Sequence, residues 1–140
     1  MIGIIDYGMG NLFSVNNELN RLGAETIISG DPKVLASCEG LILPGVGAFP
    51  DAMAELRKQE LDVFLKEYTA SGKPLLGICL GMQLLFESSD EHGFSKGLGF
   101  LKGHIAKFAG IDRAYISCPS WRWRSRPASA GAPRKPRCRR

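Results

Sequence analysis

A cysteine at position 79 stands between two glycines in Gly77-Ile78-Cys79-Leu80-Gly81, where the apolar run PLLGI gives way to CLGMQLLFE. G-x-C-x-G is the thiol counterpart of the nucleophile elbow, a sharp strand-to-helix turn that holds its central residue strained and exposed. Glycines on either side keep neighbouring side chains clear, and a helix N-terminus favours the thiolate. Acyl transfer also needs hydrogen-bond donors for the developing oxyanion and a general base. Pro44-Gly45-Val46-Gly47, ending the run GLIL, supplies backbone N–H groups for the first of these; a plain strand-ending turn is the alternative for that stretch. For Cys79 the alternative is a buried core thiol, which the bracketing glycines disfavour.

These residues need a scaffold, and strand and helix signals alternate along the chain. MIGII, AETIIS, GLILP, PLLGI and GFLKGHIAKF read as five strands. Between them Leu12, Phe13, Val15, Leu19 and Leu22 recur at helical spacing with Gly23 as the stop, and Asp31-Pro32 reads as an N-cap followed by proline at the first helical position. DAMAELRKQELDVFLKEYTASG makes one or two helices closed by Gly72, and CLGMQLLFE makes another. Apolar strands without clean alternation, separated by helices, imply an α/β fold with a parallel sheet covered on both faces. In such sheets ligands bind beyond the carboxyl ends of the strands, where the turns DYGMGN, PGVGAF and GICLGM fall.

The net charge of +4 averages two unlike pieces. Residues 1–112 hold nine basic residues against all 14 acidic ones, a balance of −5, whereas residues 113–140 hold nine basic residues and no acid. The second piece carries Trp121, Trp123 and half of the prolines, and beyond AYI it has no apolar period. It is expected to be a disordered basic tail behind a domain at 1–112. Trp121 and Trp123 among arginines would suit single-stranded nucleic acid, but the acidic body argues against that partner. No apolar run could span a bilayer and the first residues, MIGIID, have no leader character, so a cytoplasmic protein is expected. Cys38, Cys79, Cys118 and Cys138 form no CxxC pair, so no metal is expected, and neither a dinucleotide fingerprint (Phe13 blocks it) nor a phosphate-binding GxxxxGK[ST] occurs, so no cofactor is expected either.

DYGMGNLFSV, LPGVGAFPDAM, GICLGMQLLFE and GLGFLKG, in this order and spacing, resemble the glutamine amidotransferase subunits of imidazole glycerol phosphate synthases, within the class I amidotransferases. The resemblance runs from Met1 to about Phe108. It implies a flavodoxin-like fold, hydrolysis of glutamine to glutamate and ammonia, and a heterodimer with a (β/α)8-barrel cyclase subunit that uses the ammonia for histidine biosynthesis. Cys79 would be the nucleophile, Gly45, Val46, Gly47 and Leu80 the oxyanion segment, and Gln83 and Glu91 the holders of the substrate's amino-acid end.

The sequence departs from that family in its second half. The family's His-x-Glu pair, general base and orienting carboxylate, is absent: His92 and His104 are followed two residues on by Phe94 and Ala106. CPSWRW stands where the family has Pro-His-Met-Gly-Trp-Asn, and the arginine- and proline-rich remainder reads as a chain out of its frame from about Arg113. The expectation is an impaired glutaminase lacking the C-terminal part of the fold, or alternatively a non-catalytic subunit that only docks on the cyclase. His92, 13 residues beyond Cys79 along a helix, is expected far from the thiol.

Overall fold

In a computed structural model, the structure describes residues 1–107 and the backbone of a strand at 114–117. Four parallel strands form the first sheet: β1 (Ile2–Ile5), β2 (Thr26–Ser29), β3 (Gly40–Leu43) and β4 (Leu75–Gly77), in the order β2-β1-β3-β4. Strand order reverses between β1 and β3, and the crevice beyond the carboxyl ends of those two strands is where such sheets bind ligands. DYGMGN follows β1 and PGVG follows β3.

Local chemistry sets the helix limits. α1 (Leu12–Arg21) begins behind Asn11, whose side chain accepts from Ser14 N at 3.3 Å, and ends before Gly23 at φ +80°. α2 (Pro32–Ala36) has the expected Asp31 cap, with the carboxylate accepting from Lys33 N at 2.9 Å. α3 (Phe49–Lys58) and α4 (Leu61–Ala70) are separate helices, because Glu60 adopts a left-handed φ of +56° between them, and Gly72 follows α4 at φ +82°. Of the five apolar residues that give α1 its period, Phe13 and Leu22 face solvent.

The two faces of this sheet are covered unequally. Ile5, Leu41 and Leu43 point into the main core with Leu35, Phe49, Met53, Leu56, Leu61 and Leu65 of α2–α4. α1 packs against β1 and β2, and on its side an open apolar groove of about 570 Å3 runs between Leu19, Ile2, Ile42 and Leu76. β4 is one of the two edge strands, opposite β2, and Leu76 is 57% exposed.

The expected fifth strand of the parallel sheet is corrected. Residues 99–108 do contain a strand, β7 (Leu101–Lys107), but it belongs to a second sheet in the order β6-β5-β7-β8, with β5 (Phe86–Ser89), β6 (Ser95–Lys96) and β8 (Ala114–Ser117). β5 and β7 run parallel, while the pairs with β6 and β8 are antiparallel. The helix expected over CLGMQLLFE is likewise shorter: α5 covers only Leu80–Leu84. Its end is imposed from outside, since the carbonyls of Leu84, Leu85 and Phe86 accept from Leu98 N (2.8 Å), Leu101 N (2.9 Å) and Gly99 N (3.1 Å). Those carbonyls are taken, so the helix cannot propagate. His92 is therefore separated from Cys79 by a short helix and a strand, and lies exposed in a turn at φ +56°. The expected tail falls on β8 and then on residues 118–140, which lie outside the described residues, as do Trp121 and Trp123. Among the described residues no helix is long and apolar enough to cross a membrane.

Candidate active site

Cys79 is the N-cap of α5, exposed, with φ +56° and ψ −120°. Only a few non-glycine residues adopt positive φ, and strain of this kind persists where the surroundings over-determine it. Ile78 N donates to Leu43 O (3.0 Å), extending the β3–β4 ladder to the residue before the thiol; Gly81 N then returns to Ile78 O (3.0 Å) and Met82 N to Cys79 O (3.1 Å). The elbow is thus clamped on both sides.

Three glycines allow the elbow to lie against the end of β3. A Cβ on Gly77 would sit 2.5 Å from Met82 Cα; one on Gly45 would meet Gly81 N at 2.8 Å and Leu80 Cβ at 3.0 Å; one on Gly81 would run into the Leu43 carbonyl. Backbone therefore packs on backbone, which brings the first turn of α5 against the Pro44–Gly47 loop. The N–H groups of Leu80, Val46 and Gly47 make no hydrogen bond among the described residues. Val46 is 52% exposed and Gly47 has φ +96°. A loop with free donors beside an exposed thiol is what an acyl-transfer site requires.

Two residues not singled out from sequence hold that loop. Tyr7, fully buried behind β1, donates its hydroxyl to Pro44 O at 2.9 Å, and burial pushes its pKa up to about 12. The cue was present in DYGMGN, a tyrosine at the carboxyl end of a parallel strand, but its partner lies 37 residues away. Phe49, first residue of α3, donates its N–H to Glu91 Oε2 at 2.8 Å. Gln83 lies half-buried one turn along α5 from Cys79.

A raised tyrosine pKa predicts a pH dependence. Below the unfolded-state value near 10 the neutral hydroxyl contributes fully; above it the unfolded chain ionises first, and the contribution is lost as pH rises toward 12. Denaturant midpoints should therefore fall steeply over this window in the natural chain. In Tyr7→Phe that component should vanish, with a loss of about 1 kcal/mol at neutral pH from the missing hydrogen bond. Parallel alkaline profiles of the two chains would contradict this account.

Among the described residues neither histidine is hydrogen-bonded to Cys79. His104 on β7 has both ring nitrogens engaged, Nδ1 with Ser88 Oγ at 2.9 Å and Nε2 with Asp90 Oδ2 at 2.8 Å. Cys38 is a core residue, buried beneath Gly3. Among the described residues no group of three or more His, Cys, Asp or Glu side chains could hold a metal ion.

A family model for class I glutamine amidotransferases matches residues 3–105, which contain the elbow, the PGVG loop and Glu91. The chain belongs to the class I glutamine amidotransferase family. Among curated relatives of this chain, the protein named imidazole glycerol phosphate synthase subunit HisH from Geobacillus kaustophilus (strain HTA426) is 55% identical over 113 residues, covering 81% of this chain and 54% of the relative. The protein of the same name from Sulfurimonas denitrificans (strain ATCC 33889 / DSM 1251) is 56% identical over 108 residues, covering 77% and 52%. The chain spans about half the length of the curated relatives it matches. A solved structure titled as a glutamine amidotransferase superposes with a TM-score of 0.65 at 21% identity, covering 76% of this chain and 56% of that one. That likeness establishes the α/β amidotransferase fold.

Proposed function

We propose that this chain is a glutaminase subunit of the imidazole glycerol phosphate synthase type, working in the cytoplasm with a (β/α)8-barrel cyclase subunit as a heterodimer. The observation that carries the reading is the strained, exposed Cys79 against a loop of free N–H donors, in a segment more than half identical to the synthase subunits. In this mechanism the Cys79 sulfur attacks the side-chain carbonyl carbon of glutamine. The oxygen takes up negative charge opposite the N–H groups of Leu80 and of the Gly45–Gly47 loop. Collapse expels ammonia and leaves a thioester, which water hydrolyses to glutamate. Glu91 and Gln83 face the amino-acid end of the substrate, and the ammonia passes to the cyclase.

With no His-x-Glu pair in these 140 residues, and His104 held by Ser88 and Asp90, the proton transfers lack a built base. Glutamate release from glutamine, measured with and without the cyclase subunit, tests the reading against a Cys79→Ala control. Slow release that disappears in the control is expected. Release that survives Cys79→Ala would remove the thiol from the mechanism. Binding to the cyclase with no release and no thiol alkylation would favour a docking role alone.

A further inference from the structure

We propose that Glu91 is a positioning residue for the oxyanion loop, fixing its exit by capping α3. The inference rests on the glutaminase reading above and concerns how that site is held. α3 starts behind Ala48, which has no side chain able to cap it, so the Phe49 N–H would be an orphan donor. Glu91, 42 residues later, supplies the missing acceptor at 2.8 Å. Its own position is fixed by two further bonds: Glu91 N donates to Ser89 Oγ at 3.1 Å, and Asp90 N donates to Ile105 O on β7 at 3.0 Å. The second sheet is thereby tied to the exit of the loop. At the entrance, Tyr7 holds Pro44 O and Gly45 is wedged against α5. Between these anchors Val46 and Gly47 make no hydrogen bonds among the described residues, so the direction of their N–H groups depends on where the two ends are held.

This arrangement separates two roles that one carboxylate could have. A residue that only binds the substrate's ammonium affects ligands carrying an amino group. A residue that holds the loop affects every reaction at Cys79 that builds an oxyanion, whether or not the ligand has an amino group.

The test uses the full chain and two chloromethyl ketones, one shaped like glutamine and one the same without its α-amino group. In each the thiolate forms a bond to the methylene carbon and chloride leaves, with the ketone oxygen held in the oxyanion site. In Glu91→Ala the limiting alkylation rate should fall about tenfold with both ketones. Iodoacetamide, which needs no oxyanion site, should react at the natural rate. Amide exchange at Phe49 should accelerate while β1 stays protected. Glu91→Gln, whose amide oxygen can still accept from Phe49 N–H, should restore the rate with the amino-free ketone and the slow exchange. Slowing confined to the amino-bearing ketone would overturn the positioning role, as would unchanged exchange at Phe49. If the natural chain shows no saturable alkylation by either ketone, the glutaminase reading fails and the exchange comparison still decides whether Glu91 holds the loop. Loss of protection throughout Glu91→Ala, with Glu91→Gln equally unprotected at Phe49, would also count against it.

Discussion

Gly81→Ala should destabilise the chain by about 3–5 kcal/mol, placing it in the class of severe backbone clashes. The added methyl is aimed at the carbonyl of Leu43 and the start of Pro44, and both sides of the contact are backbone. Neither side can give, because Ile78 N is bonded to Leu43 O and Gly81 N to Ile78 O, each at 3.0 Å. Gly72→Ala is the comparison: with φ +82° and nothing within 4 Å, it should cost about 1 kcal/mol from conformation alone. Urea midpoints of the two variants measure the difference. Equal midpoints would mean that the elbow does not pack on the β3 end as described. Folded Gly81→Ala recovered at low temperature should also lose alkylation of Cys79 by the glutamine-shaped ketone, because the shift must move either the thiol or the loop.

The second large effect concerns the base. Removing general acid–base catalysis costs about 10²- to 10⁴-fold, so this chain should be alkylated readily at Cys79 yet release glutamate slowly. Free imidazole then becomes a diagnostic reagent. Glutamate release should rise in proportion to the imidazole free base, and the increase should be absent from Cys79→Ala. A rate insensitive to imidazole, together with a large loss on His104→Ala, would show that His104 leaves Ser88 and Asp90 to serve the thiol. That outcome would replace the present assignment of His104 as a structural link between β5 and β7.

Some of this molecule follows directly from short stretches of sequence. Asp31-Pro32 starts a helix where expected, because an N-cap carboxylate and a fixed proline φ act over three residues. Gly23 and Gly72 stop helices for an equally local reason, the left-handed conformation that follows each one. The four parallel strands were legible as β-rich apolar runs, and Cys79 between two glycines located the elbow.

What sequence could not reach depends on partners far along the chain. CLGMQLLFE has helical composition throughout, yet the helix ends at Leu84 because the backbone of residues 98–101 takes the next carbonyls. Phe86–Ser89 then becomes a strand of a second sheet that no local period announced. Tyr7 on Pro44 and Glu91 on Phe49 are bonds across 37 and 42 residues, and they hold the two ends of the Pro44–Gly47 loop. Sequence alone determined the strand-to-helix cysteine between its glycines, the glycine loop after β3 and the parallel scaffold, since these rest on residue type and short spacing. Tertiary structure decided where the helix behind Cys79 stops, what anchors the loop and what occupies His104, since a hydrogen bond between distant segments exists only once the chain has folded.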